Sequence, residues 1–164
     1  NPPRMGNEHA QVSAYGVFPV ADGEVVLAPA NDGLFRKLLA LLGREDLLGE
    51  EKFASNEARL ANRAELDAMI AAETRKWQLD ELLADCAEDG IPAGRVNEID
   101  AVFEDPQVLA QDMVLNVPHP GHGNVRMTGF PVNLSRTPAG IQRPAPDLGA
   151  DTKEILDKLD SQPL

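Results

Sequence analysis

The sequence predicts an α+β protein: a small domain with a β-hairpin and a helical middle, followed by short strands, an extended arm and a C-terminal helix. Three observations support this prediction. Asp22-Gly23 lies between two apolar runs, as in a hairpin. Apolar residues then repeat at helical spacing through most of the first 113 residues. Beyond that point, short apolar runs alternate with segments rich in Pro and Gly.

The hairpin is predicted from residues 15–20 and 24–28, which flank a two-residue type I′ turn at Asp22-Gly23. The second run is nearly all apolar, which is typical of a strand covered on both faces. Residues 6–9, Gly-Asn-Glu-His, precede the hairpin on a polar lead-in that we expect to be flexible. Polar groups at the open end of a buried hairpin make this segment a candidate ligand site.

The helical middle is predicted from polar caps that precede apolar stripes. The predicted N-caps, including that of the terminal helix, are Asn31 or Asp32, Ser55 or Asn56, Asn62, Asn97, Asp105 and Asp151. Three of them, Asn62, Asn97 and Asp151, have the spacing of a capping box. Gly43 and Gly90 are placed to end two of the helices.

Three short strands are predicted in the last third of the chain, at residues 114–117, 124–128 and 132–135. Residues 137–148 are rich in Pro and Arg and predict an extended arm. A terminal helix follows, with Ile155 as one of its apolar residues.

Composition excludes several classes of function. The net charge of −12 argues against binding to nucleic acid or to anionic membranes, since both require a cationic surface. No apolar run reaches transmembrane length, so we expect no membrane association. The single cysteine fits a reducing cytoplasm. Because the chain starts at Asn1 with a polar, Pro-containing segment, we expect it to be a piece of a longer protein.

The reactive residue types have structural interpretations. Cys86 falls on the apolar stripe of a helix, where a thiol behaves as a small hydrophobic group. His119 and His122 are close in sequence, but no Cys or His cluster supplies further ligands, so we predict no metal site. His9 is of more interest because of its polar surroundings. The residues by themselves predict no mechanism.

Several motifs occur in one order along the chain. They are G-N-x-H before the hairpin, Y-G-V-F-P-V-A-D-G-E-V-V-L-A within it, F-A-S-N-E-A-R-L-A-N-R-A-E-L-D and G-I-P-A-G-R-V-N in the helical middle, and G-F-P-V-N-L-S-R-T-P near the end. Together they cover essentially the whole chain and resemble the class III CoA-transferase family, the CaiB/BaiF group.

The resemblance implies that this chain is the C-terminal portion of a larger protein with a Rossmann-like large domain and a small domain. Two such proteins are expected to interlock as a homodimer. Residues 1–13 correspond to a linker segment with a possible substrate loop, and residues 14–113 to the small α+β domain. Residues 114–164 correspond to a β region, a return linker and a C-terminal helix belonging to the large domain.

The resemblance also implies transfer of CoA from an acyl-CoA thioester to a carboxylic acid through an aspartyl intermediate. The nucleophilic Asp would lie outside this chain, so no catalytic residue is assigned here and the fragment alone should be inactive. We expect no cofactor other than the CoA thioester that is the substrate. Gly6, Asn7 and His9 are the predicted substrate-binding residues: amide groups of the first two would donate to oxyanions, and His9 would orient an acceptor carboxylate.

Two alternatives remain open at this point. One is a fragment of an α-methylacyl-CoA racemase, an enzyme class of the same family. The other is a non-catalytic interaction module.

Overall fold

A computed structural model describes residues 4–161 of the protein. The described chain has the predicted α+β fold, and it divides into two compact units, Asn1–Val96 and Asn97–Leu164. The predicted domain boundary at residues 113 and 114 concerns the whole protein and stays a prediction.

Unit 1 contains a three-stranded antiparallel sheet in the order β1-β2-β3. Strands β1 (Gly16–Val20) and β2 (Gly23–Leu27) form the predicted hairpin, and β3 (Ala93–Arg95) pairs with the other edge of β2. Val25 and Leu27 of β2 are fully buried. Strand β3 is not among the predicted strands, because three residues are too few to show an alternating pattern.

The turn of the hairpin differs from the prediction. Val20 pairs with Gly23, so the two connecting residues are Ala21 and Asp22, and neither has a positive φ. The predicted type I′ turn at Asp22-Gly23 is therefore wrong. Tertiary contacts fix this turn instead: Ala21 N donates to the carbonyl of Trp77 at 2.9 Å, and the Asp22 carboxylate accepts from the first backbone N–H of a following helix at 2.8 Å.

Helices cover the sheet of unit 1. In the described chain they are α1 (Asp32–Leu41), α2 (Asn56–Ala61), α3 (Arg63–Thr74) and α4 (Leu79–Asp89), with two 3-10 turns, Glu45–Gly49 and Glu51–Phe53, between α1 and α2. Asn31 and Ser55 cap α1 and α2 through their side chains, as predicted. Gly43 and Gly90 follow α1 and α4 with φ of 65° and 67°, so both predicted helix ends are confirmed.

The three predicted capping boxes are wrong. The Asn62 side chain donates to the carbonyls of Lys52 and Ala58 instead of accepting from its own helix, and Glu65 pairs with Lys52 at 2.6 Å. The helix that begins at Ile99 has Glu98, not Asn97, as its N-cap, and neither Glu98 nor Asp151 makes a capping hydrogen bond through its side chain. Each box depended on local spacing alone, and at Asn62 tertiary partners compete successfully for the same groups.

The buried apolar core lies in unit 1. It joins the sheet to α1, α3, α4 and the two 3-10 turns, and its largest members include Phe35, Phe53, Leu38, Leu66, Ile70 and Leu82. Cys86 belongs to this core, as predicted, and Trp77 packs against it with partial exposure. Phe35 was missed as a core residue because the leucines of α1 alone already gave a helical stripe.

Unit 2 is a small α+β arrangement. Its described elements are α5 (Ile99–Val102), α6 (Pro106–Ala110), β4 (Val114–His119), β5 (Gly123–Thr128) and α7 (Thr152–Asp160). Asp105 caps α6 through two backbone N–H groups, with Pro106 as the first helical residue, as predicted. Strands β4 and β5 pair only with each other in the described chain.

The predicted strand at residues 132–135 is wrong. Val132 and Leu134 are more than half exposed, and the segment pairs with no other described strand. A short apolar run forms a strand only where a neighbour supplies the hydrogen-bond ladder. The arm at residues 137–148 has no helix or strand, as predicted. No described helix is long and apolar enough to cross a membrane.

Candidate functional site

The predicted substrate loop forms a turn beside the start of β1. Gly6 has a φ of 59°, a conformation that glycine adopts without steric cost. The Glu8 backbone N–H donates to the carbonyl of Met5 at 3.1 Å, which closes the turn. The His9 N–H then donates to the carbonyl of Tyr15 at 3.2 Å. These bonds hold the loop against the residue that leads into the hairpin.

Arg63 of α3 attaches this loop to the helices. Its guanidinium donates to the Glu8 carboxylate at 3.1 Å, to the His9 carbonyl at 2.6 Å and to the Val12 carbonyl at 3.1 Å. The Arg63 side chain is only 10% exposed. The polar lead-in, which its composition suggested to be flexible, is thus held in place by a charged side chain from the helical part of unit 1.

A second set of contacts holds the end of the lead-in. Asn56 donates through its side-chain amide to the carbonyl of Gln11 at 2.8 Å and accepts from the backbone N–H of Ser13 at 3.2 Å. The buried Ser13 hydroxyl donates to the carbonyl of Arg59. Ala14 follows with a φ of 62°, which directs the chain into β1.

His9 supports the loop from within. Its Nδ1 accepts from the backbone N–H groups of Gln11 and Val12, both at 3.1 Å. An accepting Nδ1 requires the neutral tautomer with the proton on Nε2. The imidazole also lies 5.0 Å from the ring of Tyr15, measured between centroids.

A cavity of about 560 Å³ opens beside the loop. It is lined by residues 5–8 of the loop, residues 16–19 of β1, Glu24 of β2, and Asp67 with Ala68 and Ala71 on α3. Gly6 and Asn7 therefore line one cavity, whereas His9 does not line it. The structure brings two of the three predicted substrate-binding residues together at this cavity.

Asp67 also lines this cavity and is not among the residues predicted from the sequence. Its Oδ1 atom is buried and has no hydrogen-bond partner in the described part of the chain. Burial raises the pKa of the carboxyl group to about 6; Arg63 opposes this shift and Glu8 adds to it. The available signal was its position between the buried Leu66 and Ile70, where a carboxylate interrupts an apolar stripe.

The two histidines of unit 2 meet a third polar side chain. His119 and His122 lie with ring centroids 4.6 Å apart, and Asp147 Oδ1 lies 3.4 Å from His122 Nε2. His119 already uses both nitrogens: Nε2 contacts the carbonyl of Ala145 at 2.8 Å, and Nδ1 accepts from Gly121 N. The group thus has the contacts of a hydrogen-bonded turn, and the absence of a metal here stays a prediction.

Cys86 lacks the surroundings of a nucleophile. It is fully buried on α4, and burial, with Asp85 and Asp89 nearby, raises the pKa of its thiol to about 11. A thiol that stays protonated near neutral pH has little nucleophilic thiolate.

Comparison with known proteins connects this fold to one family. The family model for CoA-transferase family III matches residues 1–152. The chain is 37% identical over 160 residues to a succinate–glutarate CoA-transferase of Agrobacterium fabrum, covering 98% of this chain and 40% of that protein. It is 34% identical over 157 residues to a succinyl-CoA–D-citramalate CoA-transferase of Chloroflexus aurantiacus, covering 95% of this chain and 39% of that protein.

A solved structure shows the same fold. The crystal structure of a CaiB/BaiF family protein from Brucella suis superposes with a TM-score of 0.77 at 38% identity, covering 97% of this chain and 41% of that chain. The chain belongs to CoA-transferase family III. It spans about two fifths of the length of these relatives.

Proposed function

We propose that this chain is part of an acyl-CoA transferase that moves CoA from an acyl-CoA thioester to a carboxylic acid. The observation that carries this proposal is the family match over residues 1–152, together with the transferase names of the relatives. The acids in those names, succinate, glutarate and citramalate, each have two carboxyl groups. A dicarboxylic acyl group is therefore the proposed substrate class.

The proposed chemistry is covalent catalysis by an aspartate that lies outside this chain. Its carboxylate attacks the thioester carbonyl, the C–S bond breaks, and CoA leaves as the thiolate. The thiolate then attacks the aspartyl carbonyl of the resulting anhydride and releases the donor acid as its carboxylate. The acceptor carboxylate reverses both steps and leaves with CoA. No cofactor is needed beyond the CoA thioester itself.

The loop supplies one wall of the acyl site in this proposal. Gly6 and Asn7 line the cavity, so the backbone N–H groups around Gly6 and the side-chain amide of Asn7 are the proposed donors to a tetrahedral oxyanion. His9 uses its Nδ1 within the loop, which leaves Nε2–H as the donor for an acceptor carboxylate.

The remainder of the proposed enzyme would cover unit 2. Ile155, Leu156 and Leu159 of α7 are each more than half exposed, as is Val132, which is unfavourable for a surface in water. We propose that these side chains pack on the large domain, within an interlocked cytoplasmic homodimer. Light scattering of the complete protein tests the dimer: a monomer at micromolar concentration would contradict it.

The test of the loop uses the complete protein that contains this chain. Transfer of CoA from succinyl-CoA to labelled glutarate should be measured for Asn7→Ala and His9→Ala, with the exposed Asn124→Ala as the matched control. Loss of one oxyanion donor typically lowers turnover by ~100-fold, and we expect a loss of that order for Asn7→Ala. If Asn7→Ala and His9→Ala both turned over like the control, the loop would be only a connection.

A second measurement, deuterium exchange, separates a transferase from a racemase. A racemase would exchange the α-hydrogen of its acyl-CoA with deuterium from D₂O, whereas a transferase would label the CoA ester of the acceptor acid. The transferase names of the relatives favour transfer. We expect this chain by itself to be inactive, and CoA transfer by the purified 164-residue chain would contradict the proposed place of the nucleophile.

A further inference from the structure

The cavity beside the loop is lined by a carboxyl group that has no role in the proposed transfer reaction. Asp67 lines it from α3, with Gly6 and Asn7 among the residues of the loop wall. The Asp67 Oδ1 atom is buried without a hydrogen-bond partner in the part of the chain that the structure describes. A buried polar atom in that condition is destabilising unless a ligand or a water molecule in the cavity satisfies it.

The charged side chains near Asp67 make their hydrogen bonds and ion pairs with groups other than Asp67. Arg63, one helical turn away, directs its guanidinium to the Glu8 carboxylate and to two loop carbonyls rather than to Asp67. Glu8 and Glu24 are the other carboxylates that line the cavity, and Glu8 is paired with Arg63. The environment therefore favours the neutral, protonated form of Asp67 more than an exposed site would.

A dicarboxylic substrate needs a hydrogen-bond donor for its second carboxyl group. One of its carboxyl groups reacts, and the other remains as a carboxylate that needs a donor inside the site. A protonated carboxyl group is such a donor, and a hydrogen bond to an ionised acceptor is stronger than one between neutral groups. Two carboxyl groups that share a site bind one proton between them, because both cannot be ionised at close range without a large cost.

We propose that Asp67 binds the non-reacting carboxylate of a dicarboxylic substrate through one shared proton and so selects dicarboxylic over monocarboxylic acids. This inference rests on the proposed transferase function for its substrate class. No bond to carbon forms or breaks at Asp67: a proton is taken from solvent when the acid binds and is returned when it leaves.

The proposal has a pH signature. Between pH 6 and pH 8, Asp67 loses its proton in the protein without substrate. Glutarate binding must then be accompanied by uptake of one proton from solvent. The KM for glutarate should therefore rise by about 50-fold over this interval. Pentanoate has no second carboxylate, so its KM should stay constant within about threefold. The Asp67→Asn variant keeps an N–H donor but cannot titrate, and its KM for glutarate should be flat over the same interval.

Two matched variants control the experiment. Asp89→Asn makes the same chemical change at an exposed position of α4 and should keep the wild-type pH profile. Asp67→Ser replaces the carboxyl group with a smaller hydroxyl group. This variant should lose the preference for glutarate over pentanoate. Circular dichroism of each variant verifies the fold.

A binding measurement distinguishes this proposal from the proposed function. Isothermal titration of the complete protein with glutarate alone, in buffers of different ionisation enthalpy, counts protons. Uptake of about one proton per glutarate at pH 7.5 in wild type, and none in Asp67→Asn, would support the role of Asp67 even if no CoA transfer were found. Transfer activity with an unchanged pH profile in Asp67→Asn, absence of proton uptake, or no glutarate binding would overturn it.

Discussion

The partly buried carboxyl group of Asp67 should lower the free energy of unfolding, and removing its charge should raise that free energy again. The perturbation is Asp67→Asn, which keeps the size of the side chain and removes the ionisable group. Because the pKa of Asp67 is raised to about 6 in the folded protein, the folded state holds this proton more tightly than the unfolded chain does. The ionised form is therefore the unfavourable one.

The magnitude follows from the pKa difference. Asp67 has an ordinary value of 3.8, so its pKa is raised by about two pH units in the folded state. At about 1.4 kcal/mol per unit, the destabilisation approaches about 3 kcal/mol as an upper limit, since the cavity leaves the carboxyl group some access to water. It grows as the pH rises from 3.8 to 6 and is constant above that range. Below pH 3.8 both states are protonated and the cost disappears.

Urea unfolding between pH 5 and pH 8 measures this cost. The single tryptophan, Trp77, packs against the core of unit 1, so its fluorescence reports the unit that contains Asp67. We expect the difference in unfolding free energy between Asp67→Asn and wild type to be larger by about 1 kcal/mol at pH 7.5 than at pH 5, since part of the cost is already present at pH 5. Asp89→Asn, at an exposed position, should show a constant difference above pH 5.

A difference in unfolding free energy between Asp67→Asn and wild type that does not change with pH would contradict this prediction. Asparagine brings its own amide into the cavity, which adds a term that does not depend on pH. Only the change of the difference with pH reports the ionisation of Asp67. If that difference were the same at pH 5 and pH 8, the ionisation of the partly buried Asp67 carboxyl group would not be coupled to folding.

Two further predictions concern unit 1. Arg59→Met should lower the unfolding free energy by about 2 kcal/mol, because the buried guanidinium donates to the Phe53 carbonyl at 3.1 Å and pairs with Asp32 at 2.5 Å. Tryptophan fluorescence during urea unfolding measures this loss, and an unchanged midpoint would contradict it. Cys86 should not react with a thiol reagent at pH 7.5 in the native state and should react fully in urea, because it is buried and its pKa is raised to about 11. Fast labelling of the native protein would mean that α4 opens.

Much of the fold was predictable where short-range chemistry decides it. The caps at Asn31, Ser55 and Asp105 and the glycine stops at Gly43 and Gly90 all occur as predicted. In these cases the partner groups lie within four residues, so spacing along the chain already specifies the contact. The same is true of the core position of Cys86, because the helical period decides which face is buried.

Predictions failed where a distant group competes for the same atoms. The side chain of Asn62 turns to Lys52, and the hairpin turn is set by contacts with Trp77 and with the start of α4. Residues 132–135 have the composition of a strand but no partner in the described chain. Long-range contacts of this kind have no signature in local spacing.

The candidate site divides in the same way. The sequence by itself determined the family resemblance, the loop of Gly6 and Asn7, and the buried state of Cys86, because these depend on residue order and on local periodicity. Only the tertiary structure placed Asp67 across a cavity from that loop and committed the guanidinium of Arg63 to Glu8 and the loop carbonyls. The physical reason is that the environment of a carboxyl group, and therefore its pKa, depends on groups that folding brings together from distant parts of the chain.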